Sequence, residues 1–291
     1  MEFIRRKLTN DIKESLRHFP VVAVTGPRQC GKSTLIRYLL ESKKELLYLD
    51  LERQSDLQKL DEAEWYLQSQ KEKVICLDEI QRKPEIFQLL RSLVDEWHKK
   101  GSFIILGSAS RDLLRQSSES LAGRISYKRL TPFLWSEVKA RSTLEHFLAR
   151  GGFPGSYLAE NDSVSMEWKE NFISAFIERD LMQWTGSSPM AVRRLWQMLA
   201  HLNGQTVNYS ALGNSLGISN TTVKNYIDIL QSTFMVDIIP PHMVNTGKRI
   251  IKSPKVYLND SGIASALLGL KDFNQMAGHP AFGSIWEGVV L

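Results

Sequence analysis

The run GPRQCGKST, Gly26 to Thr34, carries the clearest chemistry in this chain. It fits G-x-x-x-x-G-K-[ST], with Gly26, Gly31, Lys32 and Ser33 in the fixed places and Pro27, Arg28, Gln29 and Cys30 between them. Each residue type has a physical reason. Glycine lets backbone N–H groups turn inward around phosphate oxygens, at φ/ψ values that a side chain opposes. A lysine there reaches the β- and γ-phosphates, and a serine hydroxyl takes a place on Mg²⁺. Thr34 completes the stretch that wraps the phosphates. A second acidic element, Asp78-Glu79, closes the apolar run KVICLDEIQ, Lys73 to Gln81. At the carboxyl end of a parallel strand, such a pair sits in the crevice where α/β sheets bind ligands. Asp78 would hold Mg²⁺, directly or through water, and Glu79 is placed to polarise a water for attack on a γ-phosphate. Taken alone, an acidic turn at a strand end is a common solvated feature; beside this loop it reads as chemistry.

Other residues carry weaker signals. Phe103 to Leu106 is a third apolar run, ending in Gly107-Ser108-Ala109-Ser110. Ser108 there would contact the γ-phosphate or the attacking water; the alternative is that Ser108 or Ser110 caps the next helix. Arg124 precedes Ile125-Ser126-Tyr127 and is a candidate arginine finger on a neighbouring subunit, ahead of Arg111 and Arg115. An exposed arginine with no catalytic part is an equal alternative. Cys30 inside the loop would block nucleotide if oxidised, or is simply a small passive residue. No [NT]KxD stretch is present, so the usual guanine-reading element is missing and ATP is expected.

These groups need strands that deliver them to one edge. Val21 to Val24, between Pro20 and Gly26, reads as a buried parallel strand running into the loop, with LIRYLL beyond it as the helix whose positive end faces the phosphates. Leu46 to Leu51 reads as a second strand and Pro84 to Lys99 as an amphipathic helix, which makes residues 1–132 an α/β nucleotide-binding core.

After Pro132 the strand signals fade. Helices are expected over Leu134 to Leu148, Val164 to Trp184 and Met190 to Leu202, with GGFPG, Gly151 to Gly155, as a turn-rich boundary and a candidate lid hinge. Tyr209 to Ser232 reads as helix-turn-helix. Gly217-Ile218-Ser219 makes the turn, Ser219 caps the second helix, and Val223, Tyr226, Ile227 and Leu230 share its apolar face. Asn220, Thr221, Lys224 and Asn225 then point outward. Met235 to Ile239 and Lys255 to Leu258 read as the strands of a wing with Lys248, Arg249 and Lys252 at its tip. A winged helix of this kind offers Lys224, Lys248, Arg249 and Lys252 to double-stranded DNA, or serves as a protein-contact module. From Asn203 to Asp260 there are five basic and three acidic residues, a thin positive balance. Asp260-Ser261 reads as an N-cap for the next helix. The expected organisation is a core over 1–132, a helical lid or linker over 133–189, a winged helix over 190–260 and the start of a further module over 261–291.

Composition narrows the classes without choosing among them. With 291 residues, 43% hydrophobic and 24% charged, the chain is an ordinary globular one of more than one domain. No apolar run approaches the roughly 18 residues of a membrane span, and MEFIRRKLTNDIKES lacks the apolar core of a secretory signal, so a cytoplasmic setting is expected. Two cysteines and six scattered histidines set no disulfide framework and no metal-ligand spacing. The net charge of +5 leans weakly toward an acidic partner such as nucleic acid. Seven tryptophans, among them Trp184 and Trp196, read as core packing rather than base stacking.

In order along the chain, GPRQCGKST, LDEIQ, LGSAS, LAGR, GGFP, FIERDL, the helix-turn-helix stretch and KSPKVYLNDSG resemble the bacterial and archaeal AAA-type P-loop ATPases that carry a C-terminal "domain of unknown function 4143". That resemblance implies an ASCE-type parallel sheet of order 5-1-4-3-2, ATP hydrolysis with Mg²⁺, the roles given above for Lys32, Ser33, Asp78 and Glu79, and Ser108 as the sensor. Arg124 falls on the family's GR position, and no arginine here matches the lid position. Members usually run on into a restriction-endonuclease-like module. The chain stops at SIWEGVVL with only Glu287 of its acidic positions, so truncation is expected and nuclease activity is not assigned. The expected function is an ATPase whose turnover drives the winged-helix half, with a homo-oligomer or a protein partner as its candidate settings. The alternative is an ATP-gated switch of slow turnover, and a small-molecule kinase is a third reading.

Overall fold

The computed structural model describes residues 3–40, 46–107, 120–178, 188–241 and 253–290. It divides into two compact units, Met1–Thr131 and Pro132–Leu291.

The first unit is built on five parallel strands: β1 (Val21–Thr25), β2 (Leu46–Asp50), β3 (Val74–Asp78), β4 (Phe103–Gly107) and β5 (Ile125–Arg129). Their order is β2-β3-β4-β1-β5, which is 5-1-4-3-2 read from the other edge. Every residue of β1 and β4 is buried, which explains why these central strands read as unbroken apolar runs. Period-two alternation splits the sheet between two cores. Val21, Ala23, Ile75, Leu77, Phe103 and Ile105 pack with the helix Ile86–Trp97 on one face. Val22, Val24, Cys76, Ile104 and Leu106 pack on the other with the helices Leu8–His18 and Lys32–Leu40, through Ile12, Leu35 and Ile36. The register Val21↔Phe103 and Ile75↔Phe103 sets the ends of β1, β3 and β4 level, so the loops that leave these strands emerge at one edge.

The second unit is mainly helical around one core that runs from Leu148 to Ile285 and includes Phe172, Trp196, Val223, Leu230, Val256 and Ile263. The segments 133–189, 190–260 and 261–291 therefore share a hydrophobic interior. A continuous helix over Leu134 to Leu148 does not form. Two short helices, Trp135–Val138 and Leu144–Arg150, stand there, because Thr143 is extended and its Oγ1 accepts the His146 N–H at 3.3 Å. An N-cap hydroxyl competes with helix continuation, and apolar spacing alone does not register it. The long helix expected from Val164 is Asp162–Phe176. Tyr209–Leu216 and Asn220–Ser232 form the helix-turn-helix, with Gly217 left-handed at φ 69° and Ser219 Oγ accepting the Thr222 N–H at 3.1 Å. Val223, Tyr226, Ile227 and Leu230 are buried while Asn220, Thr221, Lys224 and Asn225 are exposed. Two antiparallel strands come next, β6 (Val236–Ile239) and β7 (Lys255–Leu258); Met235 falls just before β6 because Phe234 turns left-handed at φ 63°. Lys248, Arg249 and Lys252 lie outside the described residues.

The glycines of GGFPG are packed tightly, Gly151 against the Asp260 side chain, Gly152 against the Phe133 backbone and Gly155 against Trp168, which argues against their acting as a hinge. A Cβ on Gly151 would lie 2.2 Å from Asp260 Oδ1, and one on Gly262 would lie 2.3 Å from the Arg150 carbonyl oxygen. Two glycine turns distant in sequence are thus pressed together, with the Asp260 carboxylate between them. Trp196 is fully buried in the core, as its reading as a packing residue requires, and Trp184 lies outside the described residues.

Candidate active site

The loop from Gly26 to Gly31 leaves the carboxyl end of β1 and enters the helix Lys32–Leu40. Its backbone shows why two glycines are required. A Cβ on Gly26 would sit 2.1 Å from the Leu130 carbonyl oxygen, and Gly31 holds φ 96°, where side chains are opposed. Gln29 is also left-handed, at φ 58°. Lys32 is buried, its Nζ donating to the carbonyl oxygens of Gly26 at 3.0 Å and Pro27 at 2.8 Å, so the ammonium is folded across the mouth of its own loop. Pro27 is buried, Arg28 half-buried, and Gln29 and Thr34 exposed.

Asp78 ends β3 across the intervening β4 and meets Ser33 directly, the Ser33 hydroxyl donating to Asp78 Oδ2 at 2.7 Å. Asp78 Oδ1 accepts the Glu79 N–H at 3.0 Å. The hydroxyl and carboxylate are hard oxygen donors, two in number and beside a phosphate loop. That matches Mg²⁺, which keeps several waters and takes one or two protein ligands plus substrate phosphate. Glu79 is left-handed at φ 54°, an uncommon conformation for a non-glycine residue that turns its side chain out of the strand direction. Its carboxylate accepts a hydrogen bond from Gln81 Nε2. Burial pushes the Glu79 carboxyl above the usual carboxylate range, while the Gln81 bond and the charges of Lys32 and Arg28 pull it back. A base raised in this way sits closer to neutrality, where a general base is most useful.

Three residues of the site were assigned no chemistry from the sequence. Tyr48, on β2, donates its hydroxyl to Asp78 Oδ2, and Arg37 lies over its ring with the guanidinium carbon 4.0 Å from the centroid. Burial, and next the hydrogen bond to Asp78, push the phenol above its ordinary range. Arg6 is buried and ties the loop down, donating to the Cys30 carbonyl at 3.0 Å and to the Thr131 carbonyl at 2.6 Å. Gln81 Oε1 is buried with no hydrogen-bond partner among the described residues. A tyrosine inside LLYLDL is the one available hint, since a polar-tipped aromatic in a parallel strand needs a partner for its hydroxyl.

Arg124 stands elsewhere in the unit. It precedes Ile125, which pairs with Val21 at the start of β1, and its backbone carbonyl accepts the Val21 N–H at 3.2 Å. That is the amino edge of the sheet, five residues of strand or roughly 16 Å from the loop. Its guanidinium pairs with Asp95 through Nε at 2.6 Å and Nη2 at 2.9 Å. Within one chain it is not brought to Lys32, Asp78 and Glu79. Ser108, Ser110, Arg111 and Arg115 lie outside the described residues. Cys30 is fully buried and burial pushes its thiol up, which disfavours the reactive thiolate.

Residues 18–139 match a family model described as an AAA domain. The first unit has the parallel sheet and loop of a P-loop fold, and its match is to an AAA domain. Residues 141–274, beyond that match, fit a model described as a domain of unknown function, DUF8612, where the resemblance had implied domain 4143. The uncharacterized protein Rv2008c of Mycobacterium tuberculosis is 39% identical over 288 residues, covering 99% of this chain and 65% of its own length. The uncharacterized protein MJ1544 of Methanocaldococcus jannaschii is 22% identical, over 87% of this chain and 63% of its own. The chain thus spans about 65% of the length of the first of these curated relatives. Among solved structures, the Walker-type ATPase Paby2304 of Pyrococcus abyssi shares the fold at a TM-score of 0.60, with 17% identity, over 91% of this chain and 96% of that one. Among the described residues no helix is long and apolar enough to cross a membrane.

Proposed function

We propose that the AAA domain binds Mg·ATP at the carboxyl edge of its sheet and hydrolyses it by attack of water on the γ-phosphate. The observation that carries this reading is the direct Ser33–Asp78 hydrogen bond at 2.7 Å, with Glu79 next in sequence and Lys32 in the same loop. Mg²⁺, when bound, would neutralise charge on the β- and γ-phosphate oxygens. Ser33 and Asp78 would hold it. Lys32 exchanges its hold on the Gly26 and Pro27 carbonyls for phosphate oxygens, and the backbone N–H groups of the loop up to Thr34 orient the rest. Glu79 accepts the proton of the attacking water, which its raised carboxyl favours, as the new P–O bond forms and the bond from the γ-phosphorus to the β–γ bridging oxygen breaks to release ADP. Arg124, at the opposite edge, would serve a neighbouring copy rather than its own site, and would have to leave Asp95 to do so.

The helix-turn-helix with β6 and β7 has the order of a winged helix, and the exposed Asn220, Thr221, Lys224 and Asn225 are what supports a duplex-DNA partner for it. Steady-state phosphate release from Mg·ATP over a range of protein concentrations, with and without duplex DNA, tests the whole reading. Glu79→Gln is expected to lower turnover at least a hundredfold while ATP binding persists. Activity per chain rising with protein concentration supports Arg124 in trans, and stimulation by DNA supports the second unit as a DNA module. ATP binding without Glu79-dependent phosphate release would refute the hydrolytic reading.

A further inference from the structure

The Asp78 carboxylate is held more fully than its motif requires. Oδ1 takes the Glu79 N–H at 3.0 Å, and Oδ2 takes two hydroxyls, from Ser33 at 2.7 Å and from Tyr48. The Tyr48 contact follows from register. Tyr48 is opposite Cys76 in the parallel β2–β3 pair, so Asp78 is its diagonal neighbour two residues on, on the same face of the sheet. The ring is half-buried, and the Arg37 guanidinium 4.0 Å above it comes from the helix that begins with Lys32 and Ser33. Tyr48 is thereby fixed from both sides: by the strand beneath it and by the helix that carries the loop's own hydroxyl.

The two hydroxyls on Oδ2 differ in what else they do. A Ser33 hydroxyl that took a cation would use an oxygen lone pair and keep its hydrogen for Asp78, so it would be shared between metal and carboxylate. Tyr48 is given no part in binding metal, and its hydroxyl serves the carboxylate alone.

We propose that Tyr48 is a positioning residue of the Mg²⁺ site, its hydroxyl holding the Asp78 carboxylate, together with that of Ser33, in its metal-facing orientation. The inference rests on the Mg-nucleotide reading of the loop but not on hydrolysis. Hydrogen-bond partners of metal-binding carboxylates typically cost 10–100-fold in affinity when removed. Tyr48→Phe deletes only the hydroxyl and leaves the ring under Arg37.

The test uses the full chain with a non-hydrolysable ATP analogue and Mn²⁺ as the spectroscopic probe. Tyr48→Phe is expected to raise the Mn²⁺ concentration that half-saturates the complex by about tenfold or more. Affinity for the analogue in EDTA should stay within about twofold, since no phosphate contact is touched. In an Asp78→Ala background, which leaves no side-chain acceptor to position, the same substitution should add nothing, which separates positioning from general damage to the fold. Unchanged or tighter Mn²⁺ binding in Tyr48→Phe, or an equal loss in both backgrounds, would overturn the role. A wild-type chain that binds neither Mn²⁺ nor the analogue would overturn this role together with the nucleotide reading, whereas binding without turnover would sink only hydrolysis.

Discussion

Replacing Asp260 should unfasten the second unit, and the size of the effect can be worked from its contacts. Its side chain is buried and joins two turns more than a hundred residues apart. Oδ1 accepts the Ile263 N–H at 2.8 Å, capping the helix Ser261–Leu267, and Oδ2 accepts the Gly152 N–H at 2.7 Å. Asp260→Ala leaves both N–H groups buried without a partner, at about 1–3 kcal/mol each. Burial pushes the Asp260 carboxyl up, so part of that loss is returned by no longer burying a charge. The net expectation is a loss of about 3 kcal/mol. Asp260→Asn separates the two contacts. An asparagine caps a helix about as well as an aspartate, so Ile263 stays satisfied, but its amide nitrogen then faces the Gly152 N–H, donor against donor. The expected loss is about 1–2 kcal/mol. Equilibrium urea unfolding of the full chain, followed by tryptophan fluorescence, measures both. An alanine variant within about 1 kcal/mol of wild type, or an asparagine variant worse than the alanine one, would refute this account.

Two further expectations concern other parts of the molecule. Gly26→Ala places a methyl 2.1 Å from the Leu130 carbonyl oxygen, a backbone atom that cannot move aside, so the loop must shift. ATP affinity by calorimetry should fall at least tenfold with about 1–3 kcal/mol of stability, and wild-type affinity would contradict the loop geometry. Lys169 is buried, donates to the Ala149 carbonyl at 2.9 Å and the Ser265 hydroxyl at 3.4 Å, and burial pushes its ammonium down to about 8 from 10.5. The folded value lies below the unfolded one, so from about pH 8 to 10.5 the unfolded chain binds more protons and this contribution to stability rises with pH; below pH 8 it is flat. Relative to Lys169→Met, wild-type stability should gain up to about 3 kcal/mol across that window, and parallel pH profiles would rule it out.

Much of the proposed nucleotide site was readable because it is local. Gly26, Gly31, Lys32 and Ser33 are contiguous and act through a single strand-loop-helix turn. Asp78-Glu79 announces itself as an acidic pair at the end of an apolar run. Arg6 was not readable, since nothing in its neighbourhood marks it, and Tyr48 signalled only that its hydroxyl needs a partner without saying which; each acts on a residue far away in sequence, Cys30 and Asp78 respectively. The break between Trp135–Val138 and Leu144–Arg150 escaped for a different reason, a single hydroxyl at Thr143 outweighing a continuous apolar pattern.

By itself the sequence determined the chemistry of the phosphate loop, the acidic pair, the parallel strands that present them and the turn between the helices at Gly217 to Ser219. These depend on residue type and short spacing, which backbone sterics and side-chain periodicity translate directly into local structure. Only the tertiary structure decided that Asp78 answers to Tyr48 as well as Ser33, and that Arg124 stands at the opposite edge of the sheet paired with Asp95. It also decided that Gly151 and Gly152 of GGFPG close on Asp260, which argues against a hinge there. Those outcomes come from strand register and from which buried polar groups find each other, and both are settled only when distant segments pack together.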